Sequence, residues 1–366
     1  MSNLLFSPDA LQHEPLEQAS TIPSAWYVDP RMHAIDQEMV LAASWQYVGH
    51  VSQLPEPHSF LTEDVAGHPV VVVRDGEGTL RAFYNVCKHR GGPLATTPCG
   101  TAKMLQCQYH GWTYRLNGSL RGVPRFDRSE LFDKRDFGLT PVELAEWQGL
   151  LFVRLQPGPL PDMNTMLAGI AERIAPIRLG HLRFHTRVTY EVACNWKVYV
   201  DNYLEGYHLP LVHPELCKVL DYRAYRTETF RYHSLQHSPL REGDSPYGDE
   251  AEAAFYYFVF PNIMLNIMGD RLQMNAVVPI APDRTLVHFD YLYAHPDGPG
   301  MAEQIASDMA FSDEVQAEDI EICEHVQRGL ESPAYDRGRF SAECEAGVHH
   351  FQGLLKDVYA TRPDAG

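Results

Sequence analysis

A chain of 366 residues is long for one domain and comfortable for two, each able to bury a core of its own. Its formal net charge of -18 argues against nucleic acid and against anionic membrane as partners, because both demand a basic surface. The seven cysteines are an odd number without the spacing of a disulfide framework, so a reducing cytoplasm is the expected setting.

Residues 1–15 carry acids and no basic cluster ahead of an apolar core, so they are not expected to be a signal peptide, and the whole segment 1–42 is expected to pack on the C-terminal domain. From 43 to 155 the chain breaks into short alternating runs at 45–48, 70–73, 81–84 and 113–120, the last turning at Asn117-Gly118. Asn-Gly between such runs is a hairpin signal, and the stretch is expected to form a small antiparallel β domain. Residues 150–155 supply its last strand, and Gln156-Pro157-Gly158-Pro159 marks its end.

This domain contains Cys87-x-His89 and, seventeen residues on, Cys107-x-x-His110. Two thiolates and two neutral imidazoles suit an iron-sulfur cluster bound unevenly: His in place of Cys on one iron removes negative charge and raises the reduction potential, which defines a Rieske [2Fe-2S] centre. Gly91-Gly92-Pro93 and Gly111 let each loop turn tightly behind its ligands. The alternative is a Cys2His2 zinc site, but zinc fingers pair Cys with Cys and His with His along the chain, whereas here each loop carries one of each. Cys99, Cys194, Cys217, Cys323 and Cys344 remain and are expected to be ordinary buried thiols. Between Ala82 and Phe126 there is no acid, only Lys88, Arg90, Lys103, Arg115, Arg121 and Arg125. Such a positive field favours the reduced cluster and attracts an acidic electron donor.

Residues 156–366 mix helix and strand. Helical spacing runs over 162–177; strands are expected at 186–192, 255–268, 272–279 and 288–294, and a long helix over 301–330. The apolar run 255–268 is too short and too interrupted to span a bilayer. Between them lies Asn195-Trp-Lys-Val-Tyr-Val-Asp-Asn-Tyr-Leu-Glu-Gly-Tyr-His-Leu-Pro-Leu-Val-His-Pro214. Glu205 and His208 share a face if helical. Pro210 should end that helix just after His208, letting His213 return from an extended segment so that both imidazoles converge on one metal. On the long helix, Phe311, Val315, Ile322, Val326 and Leu330 fall on one arc, with Asp319 inside it, about 40° from Val315. Glu318 lies at its edge or beyond. A carboxylate inside a core-facing stripe needs a compensating cation, so Asp319 is expected as the third ligand. Two His and one carboxylate form a facial triad with open positions, typical of non-haem Fe(II) oxygenases.

Cys87-Lys-His-Arg, Cys107-Gln-Tyr-His-Gly-Trp, the stretch 195–213 and Glu318-Asp319-Ile320 together resemble the oxygenase (alpha) subunit of the Rieske non-haem iron oxygenases over nearly the whole chain. The resemblance implies an α+β fold: a small antiparallel Rieske domain at 43–155, then a helix-grip catalytic domain at 156–366 with an antiparallel sheet around a long helix. It implies a homotrimer in which His110 faces the iron of a neighbouring subunit and Glu205 links it to His208, with Asn202 in the same catalytic stretch. Glu where ring-hydroxylating dioxygenases usually carry Asp is similar to the oxygenases of quaternary ammonium compounds such as choline, betaine and carnitine. So are 256–262 and 324–335.

The expected activity is hydroxylation of a C-H bond with O2, on a quaternary ammonium compound, by N-demethylation or choline-type oxidation. Aromatic-ring or aromatic-acid hydroxylation is the alternative, and a Rieske electron carrier without catalysis a remote one. No Gly-rich dinucleotide fingerprint is present, so electrons are expected from a separate reductase of flavin/ferredoxin type. Tyr203, Phe255, Tyr257 and Phe260 are candidates to offer aromatic faces to a cationic substrate.

Overall fold

The computed structural model describes residues 5–241 and 253–362. The chain groups into two compact units, 41–158 and 1–40 with 159–366. No helix among the described residues is long and apolar enough to cross a membrane.

The unit 41–158 contains β1 (Gln46–His50), β2 (Ser59–Val65), β3 (His68–Arg74), β4 (Leu80–Tyr84), β5 (Cys99–Thr101), β6 (Leu105–Gln106), β7 (Thr113–Tyr114), β8 (Leu120–Gly122), β9 (Pro141–Trp147) and β10 (Leu150–Arg154). Seven of them form an antiparallel sheet in the order β1-β10-β9-β4-β3-β2-β5; β6, β7 and β8 form a small second sheet. The four consecutive valines of β3 explain the layering. All four are buried: Val70 and Val72 pack among Leu61, Ala82 and Val153, while Val71 and Val73 pack among Phe83, Cys87, Cys107 and Trp112. A strand covered on both faces reads as a continuous apolar run, and each buried valine contributes about 1.5–3 kcal/mol. The second face thus becomes the floor under the two cysteine loops.

The other unit holds β11 (Arg183–Val192), β12 (Arg226–Thr229), β13 (His233–Pro239), β14 (Ala253–Val259), β15 (Ile263–Met268), β16 (Arg271–Ala281) and β17 (Arg284–Tyr293), antiparallel in the order β11-β17-β16-β15-β14-β13-β12. Four helices position the site: α1 (Trp196–Tyr203), α2 (Leu209–Val212), the thirty-residue α3 (Met301–Leu330) and α4 (Ala346–Ala360). Bonds from Arg271 to Asp308 and from Tyr190 to Asp313 fasten α3 to the sheet. The N-terminal segment is tied to this unit by buried Asp36, which accepts from Lys197, from Trp196 Nε1 at 2.9 Å and from Tyr359 at 2.5 Å.

The strand expected over 255–268 is two strands, β14 and β15, paired antiparallel across a turn at 260–262. Two further expectations of the fold need correction. The helical spacing over 162–177 yields two single turns, Met163–Met166 and Ile170–Arg173, because Gly169 between them adopts a left-handed conformation (φ 86°) that no continuous helix accepts. Of the five remaining cysteines only Cys194 and Cys323 are buried; Cys99 is exposed on the short edge strand β5, and Cys217 and Cys344 are half-buried.

Candidate active site

Each cysteine loop is closed the same way. Gly91 N–H donates to the Cys87 carbonyl at 3.0 Å and Gly111 N–H to the Cys107 carbonyl at 2.9 Å, both glycines at φ 73°. Asn85 fixes the first loop from inside, its carboxamide bonding Leu94 N, Ala95 N and Ala95 O. Gly92 permits the loops to approach: a Cβ there would lie 2.9 Å from Cys107 Sγ.

Cys87 and Cys107 are 2% and 3% exposed and belong to one buried cluster. Burial pushes the Cys87 thiol up, and Tyr114, 3.4 Å away, opposes this by hydrogen bonding. The His89 and His110 rings have centroids 4.6 Å apart, and His89 stacks on Trp112. Burial, then the nearby His110 and Arg90, push the His89 pKa down, which favours the neutral imidazole. Its Nδ1 is buried and makes no hydrogen bond among the described residues. Two facing thiols and a neutral imidazole with an orphaned nitrogen fit a [2Fe-2S] cluster with sulfur on one side and nitrogen on the other.

The second constellation forms in the other unit. Asn195 caps α1, accepting from Lys197 N at 3.0 Å. The helix ends at Tyr203, earlier than expected, so Glu205 and His208 do not share a helix face. Instead Glu205 Oε2 accepts from the N–H groups of Tyr207 and His208, an alternative to helix that a side-chain oxygen offers the backbone. Pro210 lies in the first turn of the next helix, α2, where its missing N–H costs nothing, and His213 follows at that helix's end.

The ligand atoms of His208, His213 and Asp319 all lie within 4.8 Å of one another. Asp319 Oδ1 is 2.9 Å from His213 Nε2 and 3.9 Å from His208 Nε2. Each imidazole has its Nδ1 tied to a carboxylate, His208 to Glu205 at 2.6 Å and His213 to Glu318 at 2.6 Å, which leaves both Nε2 atoms for a shared ion. Asn202 Nδ2 donates to Asp319 Oδ1 at 2.7 Å and holds that carboxylate in place. Burial lowers the His213 pKa, but bonds and charges from Asp319 and Glu318 outweigh it, so the net shift is upward. The pocket therefore draws positive charge, as a divalent ion would supply. The donor set fits iron(II).

Glu318 is the residue that sequence reading passed over. The arc of Phe311, Val315, Ile322 and Val326 is not the buried face of α3: Val326 is 43% exposed, while Asp308, Ser312, Gln316, Cys323 and Gln327 are buried. The true stripe is rotated by roughly 85° at 100° per residue, and Asp319 lies where the two adjoin. A polar buried face is invisible to a search for apolar periodicity. Glu318 could have been found only by its adjacency to Asp319.

A cavity opens beside the triad, lined among others by Tyr199, Tyr203, Tyr225, Tyr256, Phe289 and Arg271. Tyr203 is the one expected aromatic residue on this wall; its hydroxyl donates to Asn266 Oδ1 at 2.7 Å. Phe255 and Tyr257 flank Tyr256 on β14 and therefore point to the opposite face of the sheet. Phe260, in the turn after β14, packs against Phe351 of α4. Period-two alternation around Tyr256 was the signal that separates them.

Residues 179–361 match the family model of the ring hydroxylating alpha subunit (catalytic domain), and residues 44–142 that of the Rieske [2Fe-2S] domain. The chain belongs to the Rieske non-haem iron oxygenase alpha subunits. Choline monooxygenase of Arabidopsis thaliana is 36% identical over 93% of this chain and 83% of its own length. The carnitine monooxygenase oxygenase subunit of Escherichia coli K12 is 30% identical over 98% of this chain and 100% of its own. A crystal structure of the quaternary ammonium Rieske monooxygenase CntA superposes with a TM-score of 0.85 at 28% identity, covering 95% of this chain and 99% of that one. The oxygenase has a Rieske domain followed by a helix-grip catalytic domain, with a [2Fe-2S] cluster and a mononuclear iron as its cofactors. It is a Rieske non-haem iron monooxygenase.

Proposed function

We infer that this oxygenase hydroxylates a C-H bond beside the nitrogen of a quaternary ammonium compound. The observation that carries the reading is the convergence of two Nδ1-anchored imidazoles and Asp319 on a cavity walled by Tyr199, Tyr203, Tyr225, Tyr256 and Phe289. Aromatic faces attract a cation that cannot donate hydrogen bonds. The relatives named for choline and carnitine support the substrate class.

Cys87, His89, Cys107 and His110 would hold the cluster; His208, His213 and Asp319 would hold the iron. Bound there, the two groups supply single electrons and O2 activation at open coordination positions. The chain's own contribution is positional. Glu205 and Glu318 fix the two imidazole tautomers and raise their basicity, and Asn202 orients Asp319. The buried tyrosines Tyr203 and Tyr225 keep their protons, since burial pushes their pKa values well up. They present neutral rings to the cation.

His110 is exposed on its unit, and Glu205, linked to His208, retains acceptor capacity. We place these two groups on an electron route between subunits of a homotrimer. The basic residues Lys88, Arg90, Lys103, Arg115, Arg121 and Arg125 are all exposed and suit the acidic face of a separate flavin/ferredoxin-type reductase. A cytoplasmic setting keeps the thiols reduced. Oxygen uptake and formaldehyde release with betaines, carnitine, choline and aromatic acids test the reading. Turnover of ammonium compounds is expected; turnover of aromatic acids alone would overturn it.

A further inference from the structure

One carboxamide on the wall of the cavity has a donor that the chain itself does not use. Gln316 is 1% exposed, stands one turn before Asp319 on α3 and lines the cavity beside the triad. Its Oε1 accepts from the Tyr199 hydroxyl at 2.6 Å, while its Nε2 is buried and has no hydrogen-bond partner among the described residues. Burial, then the charge of Asp319, pushes the Tyr199 pKa well up, so the phenol keeps its proton and remains the donor of that bond. The bond fixes which edge of the amide is left over. Three residues further along each helix, Asn202 Nδ2 donates to Asp319 Oδ1 at 2.7 Å. The two rungs join α1 to α3, but only the second spends its amide donor. A buried N–H without an acceptor is costly, and a ligand oxygen entering the cavity can relieve it.

We propose that Gln316 is a specificity-determining residue, whose Nε2 donates to a neutral oxygen carried two carbons from the ammonium nitrogen of the substrate. This rests on the quaternary ammonium reading and adds to it one hydrogen bond along the substrate's chain, whatever group ends that chain. The acceptor is neutral because Asp319 stands one turn away, and a second anion beside it would be repelled in a site shielded from water. The spacing follows from the helix. One turn separates Gln316 from Asp319, about 5.4 Å along the axis of α3. Four bonds lead from a reacting methyl carbon through nitrogen to an oxygen on the second carbon, and they span about 5 Å when extended. An oxygen there meets Nε2 while the methyl group stays at the triad.

The test compares (2-methoxyethyl)trimethylammonium with n-butyltrimethylammonium, which share charge and length and differ by one oxygen in place of a methylene. The ether oxygen accepts and cannot donate, so it reports on Nε2 and not on Oε1. Binding to the purified, metal-loaded oxygenase is measured by calorimetry, and formaldehyde release is followed with reductase. The unsubstituted protein should bind the ether at least about threefold more tightly, the scale of one neutral hydrogen bond. Gln316→Met keeps the length of the side chain and removes the donor; it should turn the preference toward the butyl compound, by raising KM for the ether more than it lowers kcat. Both ligands are measured on each protein, so a general loosening of the site cancels in the ratio. Tyr199→Phe frees the amide to rotate and should move the ratio the same way by less. Equal or tighter binding of the butyl compound by the unsubstituted protein would overturn the proposal, and that comparison stands even if the variants fail to fold. An unchanged ratio in Gln316→Met would overturn it as well. In either case turnover of the two compounds leaves the ammonium reading standing, whereas turnover of aromatic acids with neither ammonium compound bound would bring down both.

Discussion

His213 sits between two carboxylates, and geometry gives them different tasks. Asp319 shares an oxygen between the two Nε2 atoms, whereas Glu318 meets only Nδ1. Asp319→Ala should lose the mononuclear iron and keep the Rieske spectrum. Glu318→Gln should weaken iron binding about 10- to 100-fold, the usual cost of removing a carboxylate behind a histidine ligand. Iron content after dialysis against graded chelator separates the two; an unaffected Glu318 variant would show that the Nδ1 contact carries nothing. Asp201, one residue before Asn202, has another role. Burial pushes its carboxyl up to about 7, against bonds from Tyr27 and Gln352. The folded chain therefore holds a proton that the unfolded chain releases near pH 4, so this group's contribution to stability falls as pH rises from about 4 to 7 and is level above. The slope is on the order of 1 kcal/mol per pH unit. Urea unfolding of Asp201→Asn at pH 5.5, 7 and 8 should show that slope removed, and an unchanged slope would rule Asp201 out as its source.

At the level of elements, α3 is held to the sheet and to α1 by polar contacts where apolar packing would be expected. Asp308, Ser312, Gln316 and Gln327 face inward, paired respectively with Arg271, Arg271, Tyr199 and the Asn195 backbone. Such pairs give direction to the helix but are fragile when broken singly. Asp308→Leu leaves a buried guanidinium without its counter-ion and should cost about 3–5 kcal/mol. The double variant Arg271→Met/Asp308→Leu should recover most of that loss, because two apolar groups of similar volume need no compensation. Denaturant midpoints of the single and double variants check this, and equal midpoints would mean that the pair is not coupled. The same registration sets the phase of α3 and so places Asp319 at the triad.

At the scale of the whole molecule, the proposed electron route between subunits can be tested directly. Should it cross a subunit boundary, a chain lacking the cluster and a chain lacking the iron can complement each other. Mixing Cys87→Ala with His208→Ala chains during refolding or co-expression should restore a fraction of activity, at most about that of one intact pairing per mixed interface. Glu205→Gln, like Glu318→Gln, should weaken iron binding; assayed with enough iron to keep the mononuclear site filled, it should also slow reoxidation of the reduced cluster in the presence of substrate. Inactive mixtures in which both chains are shown to co-assemble would confine the route to a single chain.

The candidate ligands could be named from the sequence because their chemistry is local. Cys87, His89, Cys107 and His110 announce themselves by spacing and residue type, and His208 and His213 by a proline that forbids one continuous helix. Asp319 emerged from a helical arc whose phase was off, since the arc was drawn on apolar residues and the buried face of α3 is polar. Glu318 offered only its adjacency to Asp319, since its partner His213 lies 105 positions away. The pocket was the least legible: Tyr256 rather than Tyr257 faces it, a choice made by strand register, and Arg271 acquires meaning only through Asp308 and Ser312 on another element. Chain chemistry thus determined which metals this protein binds. Which side chains surround the substrate was decided by sheet register and helix phase, because both depend on contacts between segments far apart along the chain.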